Sequence, residues 1–147
     1  MKSPPVDSIA PASADLSAGA RIARYSWGAI AEELDSVGCA VLPKLLTQQQ
    51  CADIAALYSD ERHFRSRVVM ARHGFGKGEY RYFSYPLPDL IGDMRTALYP
   101  RLAPIANAWN ERMGVEERFP AEHVVFLERC RRGGQTRPTP LLLQYVA

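Results

Sequence analysis

The stretch Val68-Val-Met-Ala-Arg-His-Gly-Phe-Gly-Lys-Gly-Glu-Tyr-Arg-Tyr-Phe-Ser-Tyr85 decides how this chain is read. β-Branched residues enter a break carrying Gly74, Gly76 and Gly78, and the aromatic residues Tyr80, Tyr82, Phe83 and Tyr85 leave it. Strand formers on both sides of a Gly-rich turn predict a β-hairpin over residues 66 to 85. Period-two alternation places Tyr80, Tyr82 and Ser84 on one face, and Arg81, Phe83 and Tyr85 on the other. The glycines are not a nucleotide loop. Their spacing is G-x-G-x-G, no K-[ST] follows, and no apolar helix begins whose N-terminus would aim backbone amides at a phosphate.

Upstream of the hairpin, Thr47 and Gln50 fit a capping box, so a helix starts there with Cys51, Ile54, Ala55 and Tyr58 on one face. Cys51 at that spacing is expected to be a small core residue. Before it, Cys39-Ala-Val-Leu42, ended by Pro43, reads as a short buried strand. Trp27, Ile30, Ala31 and Leu34 follow i, i+3, i+4, i+7 and predict a helix closed by Gly38. Residues 1–22, with Pro4, Pro5 and Pro11 among Ser, Ala and Asp, are expected to be a disordered tail, leaving 23–147 as the ordered part.

Downstream, Leu90, Ile91, Met94 and Leu98 share one helical side, and Leu102, Ile105, Trp109 and Met113 share another. Pro100 and Pro104 are expected to break or kink that run. A last helix is expected from Pro120, with Arg129, Arg131 and Arg132 in its final turn, where the helix dipole favours cations. Gly133-Gly134 ends it, and Leu141 to Val146 reads as a closing strand. A chain that stops inside an apolar strand is expected to be part of a longer domain.

The composition is that of a globular chain: 147 residues, 47% hydrophobic and 23% charged. No apolar run approaches the ~20 residues that span a bilayer, and the first twenty lack the apolar core of a signal peptide. Three cysteines without a C-x-x-C pair argue against a disulfide scaffold and suggest a cytoplasmic setting. Net charge is only +2, but arginine clusters twice. Arg62, Arg65, Arg67, Arg72, Lys77 and Arg81 outweigh Glu61 and Glu79, and Arg129, Arg131, Arg132 and Arg137 outweigh Glu128. Such patches suit an anionic partner, nucleic acid among them. Tyrosines interleaved with arginine in the hairpin are what a single-strand binder uses to stack bases and hold phosphates.

The histidines His63, His73 and His123 stand in no H-x-D, H-x-x-x-H or H-E-x-x-H spacing, so no local ligand pair for iron or zinc is expected. There is no G-x-S-x-G elbow, and no Cys lies beside a His in a recognisable signature. By residues alone there is no complete active site.

The order of Gly38-Cys-Ala-Val-Leu-Pro43, Leu45-Leu-Thr-Gln-Gln-Gln50, a basic strand, Gly78-Glu-Tyr-Arg-Tyr-Phe83, Tyr85-Pro-Leu-Pro-Asp-Leu90 and Leu142-Leu-Gln-Tyr-Val146 resembles the N-terminal half of bacterial iron(II)/2-oxoglutarate-dependent oxygenases. The particular group is one linked to oxidative demethylation of damaged nucleic acid, with prolyl-hydroxylase-like relatives, and the resemblance covers residues 25 to 147. It implies an α+β chain with N-terminal helices packed on an incomplete antiparallel sheet of a double-stranded β-helix. It also implies Fe(II) and 2-oxoglutarate, with the metal held by an H-x-D pair and a later His that would follow residue 147. No iron ligand can be carried onto this sequence, so the chain alone is expected to bind neither cofactor and to be inactive. Tyr145 matches a position whose tyrosine faces 2-oxoglutarate. Tyr80, Arg81, Tyr82 and Phe83 match a segment that meets substrate, either alkylated nucleic acid or peptidyl proline. The alternative from another class is a small nucleic-acid-binding module that uses the arginine clusters and the tyrosine-rich hairpin.

Overall fold

The structure, a computed structural model, describes residues 16–145. It is an α+β arrangement of helices and a sheet of three antiparallel strands. No helix among the described residues is long and apolar enough to cross a membrane.

Helical structure is already present at Ala18. Ser17 accepts a hydrogen bond from the Ala20 amide and caps helix α1, Ala18–Ala23. Six residues are too few for a helix to persist unaided, so α1 depends on tertiary contacts. It lies along helix α4, Asp89–Arg112, so closely that a methyl placed on Gly19 would meet Ala97 Cβ at 3.6 Å. Ala18, Arg21 and Ile22 are buried there. Residues 18–22 therefore belong to the fold and not to a tail. Ala and Gly carry little hydrophobic signal in the sequence, although small residues are what close helix packing needs. The remainder of the expected tail, residues 1–15, lies outside the described residues.

Arg21 is 4% exposed. Its Nε donates to Leu45 O at 2.6 Å, its Nη1 to Leu16 O, and its Nη2 to Gln50 Oε1 at 2.6 Å. The same Gln50 oxygen accepts from the Thr47 amide at 3.0 Å, while Thr47 Oγ1 accepts from the Gln50 amide at 3.1 Å. The capping box of helix α3, Gln48–Leu57, forms as its sequence predicts and is fastened to α1.

Helix α2, Trp27–Val37, also forms as predicted, with Gly38 at φ 80° closing it through its amide to Leu34 O. Its last turn is tied to α4. Asp35 takes both Arg112 guanidinium nitrogens at 2.8 Å and accepts from Trp109 Nε1.

Three local expectations fail for identifiable reasons. Cys39 to Leu42 joins no strand, and Val41 is 74% exposed. An apolar run becomes a strand only when a neighbour takes its backbone hydrogen bonds, and the described sheet offers this one none. Cys51 is exposed and not core. Tyr58 reaches the sheet, but the α3 face bearing Cys51 and Ile54 looks onto a hollow of about 360 Å³ bordered by Leu142. Pro100 and Pro104 do not break α4, which runs through both for 24 residues. Spaced by four, they share one exposed side, where the carbonyls they leave unpaired can meet water.

Helix α5, His123–Arg132, starts three residues after Pro120. Asn107 of α4 exchanges two hydrogen bonds with the Phe119 backbone, at 2.7 and 2.9 Å, and Tyr99 Oη donates to Pro120 O at 2.8 Å. These contacts dock residues 119–120 flat on α4, so the helix can begin only beyond them.

The hairpin is present as strands β1, Phe64–Val69, and β2, Glu79–Phe83, joined through one 3₁₀ turn at Met70–His73. Strand β3, Leu141–Gln144, pairs antiparallel on the other side of β2, giving the order β1-β2-β3. The expected closing strand is thus present to Gln144, and Val146 lies outside the described residues.

Replacing Arg21 with Met keeps the side chain's bulk but removes its hydrogen bonds to three part-buried oxygens, of which only Gln50 Oε1 keeps another donor among the described residues, and is expected to cost about 2–4 kcal/mol in urea or thermal unfolding. The Asp35 tie has a pH signature. Hydrogen bonds from Arg112 and Trp109 hold its carboxyl at about 2, below the ordinary 3.8. A lowered folded value means that the tie's stabilisation is present above 3.8 and is lost as pH falls through 2. Trp109 fluorescence should therefore change with a midpoint near 2, and that change should be absent in Asp35→Asn.

Candidate nucleic-acid interface

Cross-strand pairing divides the sheet into two unlike faces. Tyr80 pairs with Val68 and Leu143, and Tyr82 with Ser66 and Leu141, so these side chains share one face. Arg81 pairs with Arg67 and Leu142, and Glu79 with Val69 and Gln144, so these share the other.

The second face is closed by its own charges and rings. Phe83 is 0% exposed and stacks on Phe64 at 4.9 Å. Arg81 lies 4.7 Å over the Tyr58 ring at the end of α3, with Glu61 and Glu79 oxygens at 3.9 and 4.0 Å. Glu79 accepts from Arg67 Nε at 2.8 Å and from Tyr58 Oη at 2.8 Å. Hydrogen bonds from Arg67 and then Tyr58 lower the Glu79 carboxyl below its ordinary range. Burial first, and then the bond to Glu79, raises the Tyr58 phenol. Of the four consecutive residues expected to meet substrate, Phe83 has no surface to offer, and Arg81 is held against α3.

The first face is open. Tyr80 and Tyr82 meet edge to face at 5.6 Å, and Leu141, Leu143 and Tyr145 extend the apolar surface along β3, all three exposed. Tyr145 lies over Gly78. A Cβ there would come within 2.9 Å of both the ring and the Gln144 carbonyl, and Gly78 holds φ 130°, a conformation glycine adopts without a Cβ penalty. Gly78 thus seats Tyr145 on the same face as Tyr80 and Tyr82. The structure brings these three tyrosines together and separates them from Arg81 and Phe83.

One residue of this face is not legible as such in the sequence. The register shifts between Phe64 and Ser66, which frees Arg65 from the alternation. Arg65 lies 4.5 Å over the Tyr82 ring and donates through Nε and Nη2 to Pro138 O at 3.1 and 3.0 Å. Its membership of a basic run was the only available signal.

The rest of that run is largely neutralised: Arg62 pairs with Asp60, and Arg67 with Glu79. In the second cluster, Arg129 is held by Glu117 and the Arg118 carbonyl. Arg131 and Arg132 lie 3.9 Å from Glu128.

The described residues do not fit the iron site that the resemblance implies. His63 lies 3.5 Å from Asp60, His73 stacks on Phe75, and His123 packs beside Tyr99, each in a different part of the fold. No three His, Cys, Asp or Glu side chains among the described residues come together to hold a metal.

Residues 78–147 match a family described as "Oxygenase, catalysing oxidative methylation of damaged DNA". The stretch begins at Gly78 and takes in β2, α4, α5, β3 and Tyr145. Two curated relatives, uncharacterized proteins from the CDC 1551 and H37Rv strains of Mycobacterium tuberculosis, are each 41% identical over 63 residues. That stretch is 43% of this chain and 27% of each relative, so the chain covers little more than a quarter of the relatives' length. No solved structure matches it. The similarity is to an oxygenase family, and it falls on the part of the chain that builds the open face.

Replacing Gly78 with Ala should strain the backbone and push the Tyr145 ring off its seat, costing about 1–3 kcal/mol. The aromatic NMR resonances of Tyr145 should shift, while those of Tyr58, on the opposite face, should not.

Proposed function

We propose that this chain is the substrate-facing part of an iron(II)/2-oxoglutarate-dependent oxygenase that acts on alkylated nucleic acid. In this reading its three-stranded sheet forms part of one wall of a double-stranded β-helix. The observation that carries the reading is the coincidence of the oxygenase-family match with the face bearing Tyr80, Tyr82 and Tyr145.

The chemistry of that face suits a nucleobase. Aromatic rings stack on any base, at about 1–3 kcal/mol per base. Arg65, held over Tyr82 through Pro138, adds a fixed cation beside the stack. Tyr145 lies along the same face and would border the cofactor's position. Oxidation of an N-methyl group on a base so held would release it as formaldehyde. Iron and 2-oxoglutarate would supply that oxidation, and the described residues bring together no cluster for the iron. In this reading the described residues bind and orient the base.

A binding module without redox chemistry would use the same face, and the preference for a methylated strand separates the readings. Binding of single-stranded DNA carrying an N-methylated base, followed by fluorescence anisotropy, should weaken about tenfold in Tyr82→Ala. Unchanged affinity would remove the face from the reading. Anaerobic titration of this chain with Fe(II) and 2-oxoglutarate should show no visible charge-transfer band. A band at stoichiometric iron would overturn the assignment of this chain to binding alone. Preference for the methylated over the unmethylated strand supports the oxygenase reading, and equal affinity supports the plain module.

A further inference from the structure

Beside the sheet, α4, α5 and the segment 135–139 enclose a cavity of about 260 Å³. Its chemistry is one-sided. Arg95, Arg131 and Arg137 border it with His123, and the hydroxyls of Tyr85 and Thr136 add neutral donors. No carboxylate lines it. Glu128 draws on Arg131 from 3.9 Å, and Glu122 borders the next hollow along α5. Among the described residues neither Arg95 nor Arg137 has a carboxylate within ion-pair reach.

Two further observations point to an anion. Arg95 Nη1 donates to Tyr85 Oη at 3.1 Å, but its Nε is buried with no hydrogen-bond partner among the described residues. An unsatisfied buried guanidinium nitrogen is costly, so the fold itself does not meet the full hydrogen-bonding capacity of Arg95. His123 is also lowered from its ordinary range, first by burial and then by the charge of Arg95, so uncompensated positive potential reaches that wall.

We propose that this cavity is a seat for a phosphate group, with Arg137 and Arg95 as its principal ligands. Guanidinium groups match the oxygens of phosphate in pairs, and the hydroxyls can occupy the remaining acceptor sites. The volume is below that of sites for drug-sized ligands, so it takes one phosphate and not a whole nucleotide. The cavity also has a neighbour. A cleft of about 470 Å³ shares Tyr85, Thr136, Arg137 and Pro138 with it and extends to Arg65, the residue stacked on Tyr82. A phosphate in the seat therefore has a path to the tyrosine face. The phosphate is either part of a nucleic-acid backbone or free. The seat does not rest on the oxygenase reading: either can fail while the other stands.

The test is titration of the whole chain with inorganic phosphate and, separately, with a short single-stranded oligothymidylate, followed by ¹⁵N–¹H NMR. Saturable shifts are expected at Arg95, His123 and residues 135–139. Arg137→Gln, at an exposed position that should not disturb folding, should weaken phosphate binding about tenfold, as loss of one charge-assisted pair implies. Arg132→Gln, outside the cavity, should leave it unchanged. If Arg137→Gln also weakens the oligonucleotide, the phosphate is that of a nucleic-acid backbone. If only inorganic phosphate is affected, the seat takes free phosphate. Shifts that do not saturate, or phosphate affinity indifferent to Arg137→Gln, would overturn the proposal.

Discussion

The guanidinium of Arg21 is the contact on which much of the rest depends. It is buried in a helix of six residues, and its donors reach the segment before that helix, the turn at Leu45, and the side chain that caps α3. A buried cation held by neutral oxygens tolerates little movement, because each lost acceptor leaves a desolvated N–H behind. α1 itself is pressed on α4. Arg21 thus fastens the start of α3 to α1, and Tyr58 at the far end of α3 meets Glu79 and Arg81 of the central strand. A chain of polar contacts runs from α1 to the middle of the sheet, in a molecule whose fully buried apolar residues among those described are few.

That chain also explains why the two sheet faces differ. The side turned to α3 spends its charges internally: Arg67 on Glu79, Arg81 on the Tyr58 ring, Phe83 beneath Phe64. The other side leaves Leu141, Leu143 and Tyr145 exposed beside the half-buried Tyr80 and Tyr82, and receives one arginine, Arg65, through a register shift. Aromatic surface with a fixed cation beside it, leading to a cavity walled by arginine, is a gradient from base-like to phosphate-like chemistry. The similarity to an oxygenase family falls on residues 78–147, which carry Tyr80, Tyr82 and Tyr145 and all the residues that border the cavity, but not Arg65.

Much of this was legible in the chain. The capping box of Thr47 and Gln50, the closure of α2 at Gly38, the hairpin and the closing strand are local patterns, each decided within a few residues by hydrogen-bond geometry or by which backbone angles glycine permits. The errors share a cause. Cys39 to Leu42 and Cys51 look buried because they are apolar, yet burial needs a partner, and none of the described elements covers them. Pro100 and Pro104 look disruptive because the rule for proline ignores which side of a helix faces water.

The sequence by itself determined the elements and the alternation that sets Tyr80 and Tyr82 apart from Arg81 and Phe83, since a strand's side chains must point to opposite faces. Only the tertiary structure decided which face stays open, because that depends on where α3 lies. It alone decided which arginines keep their charge available. A run of basic residues does not say where its carboxylates are, and here Glu79, Asp60 and Glu117 neutralise several while Arg95 and Arg137, far apart in the chain, border one cavity. Charge is a property of composition, but potential depends on distance, and distances exist only once the chain has folded.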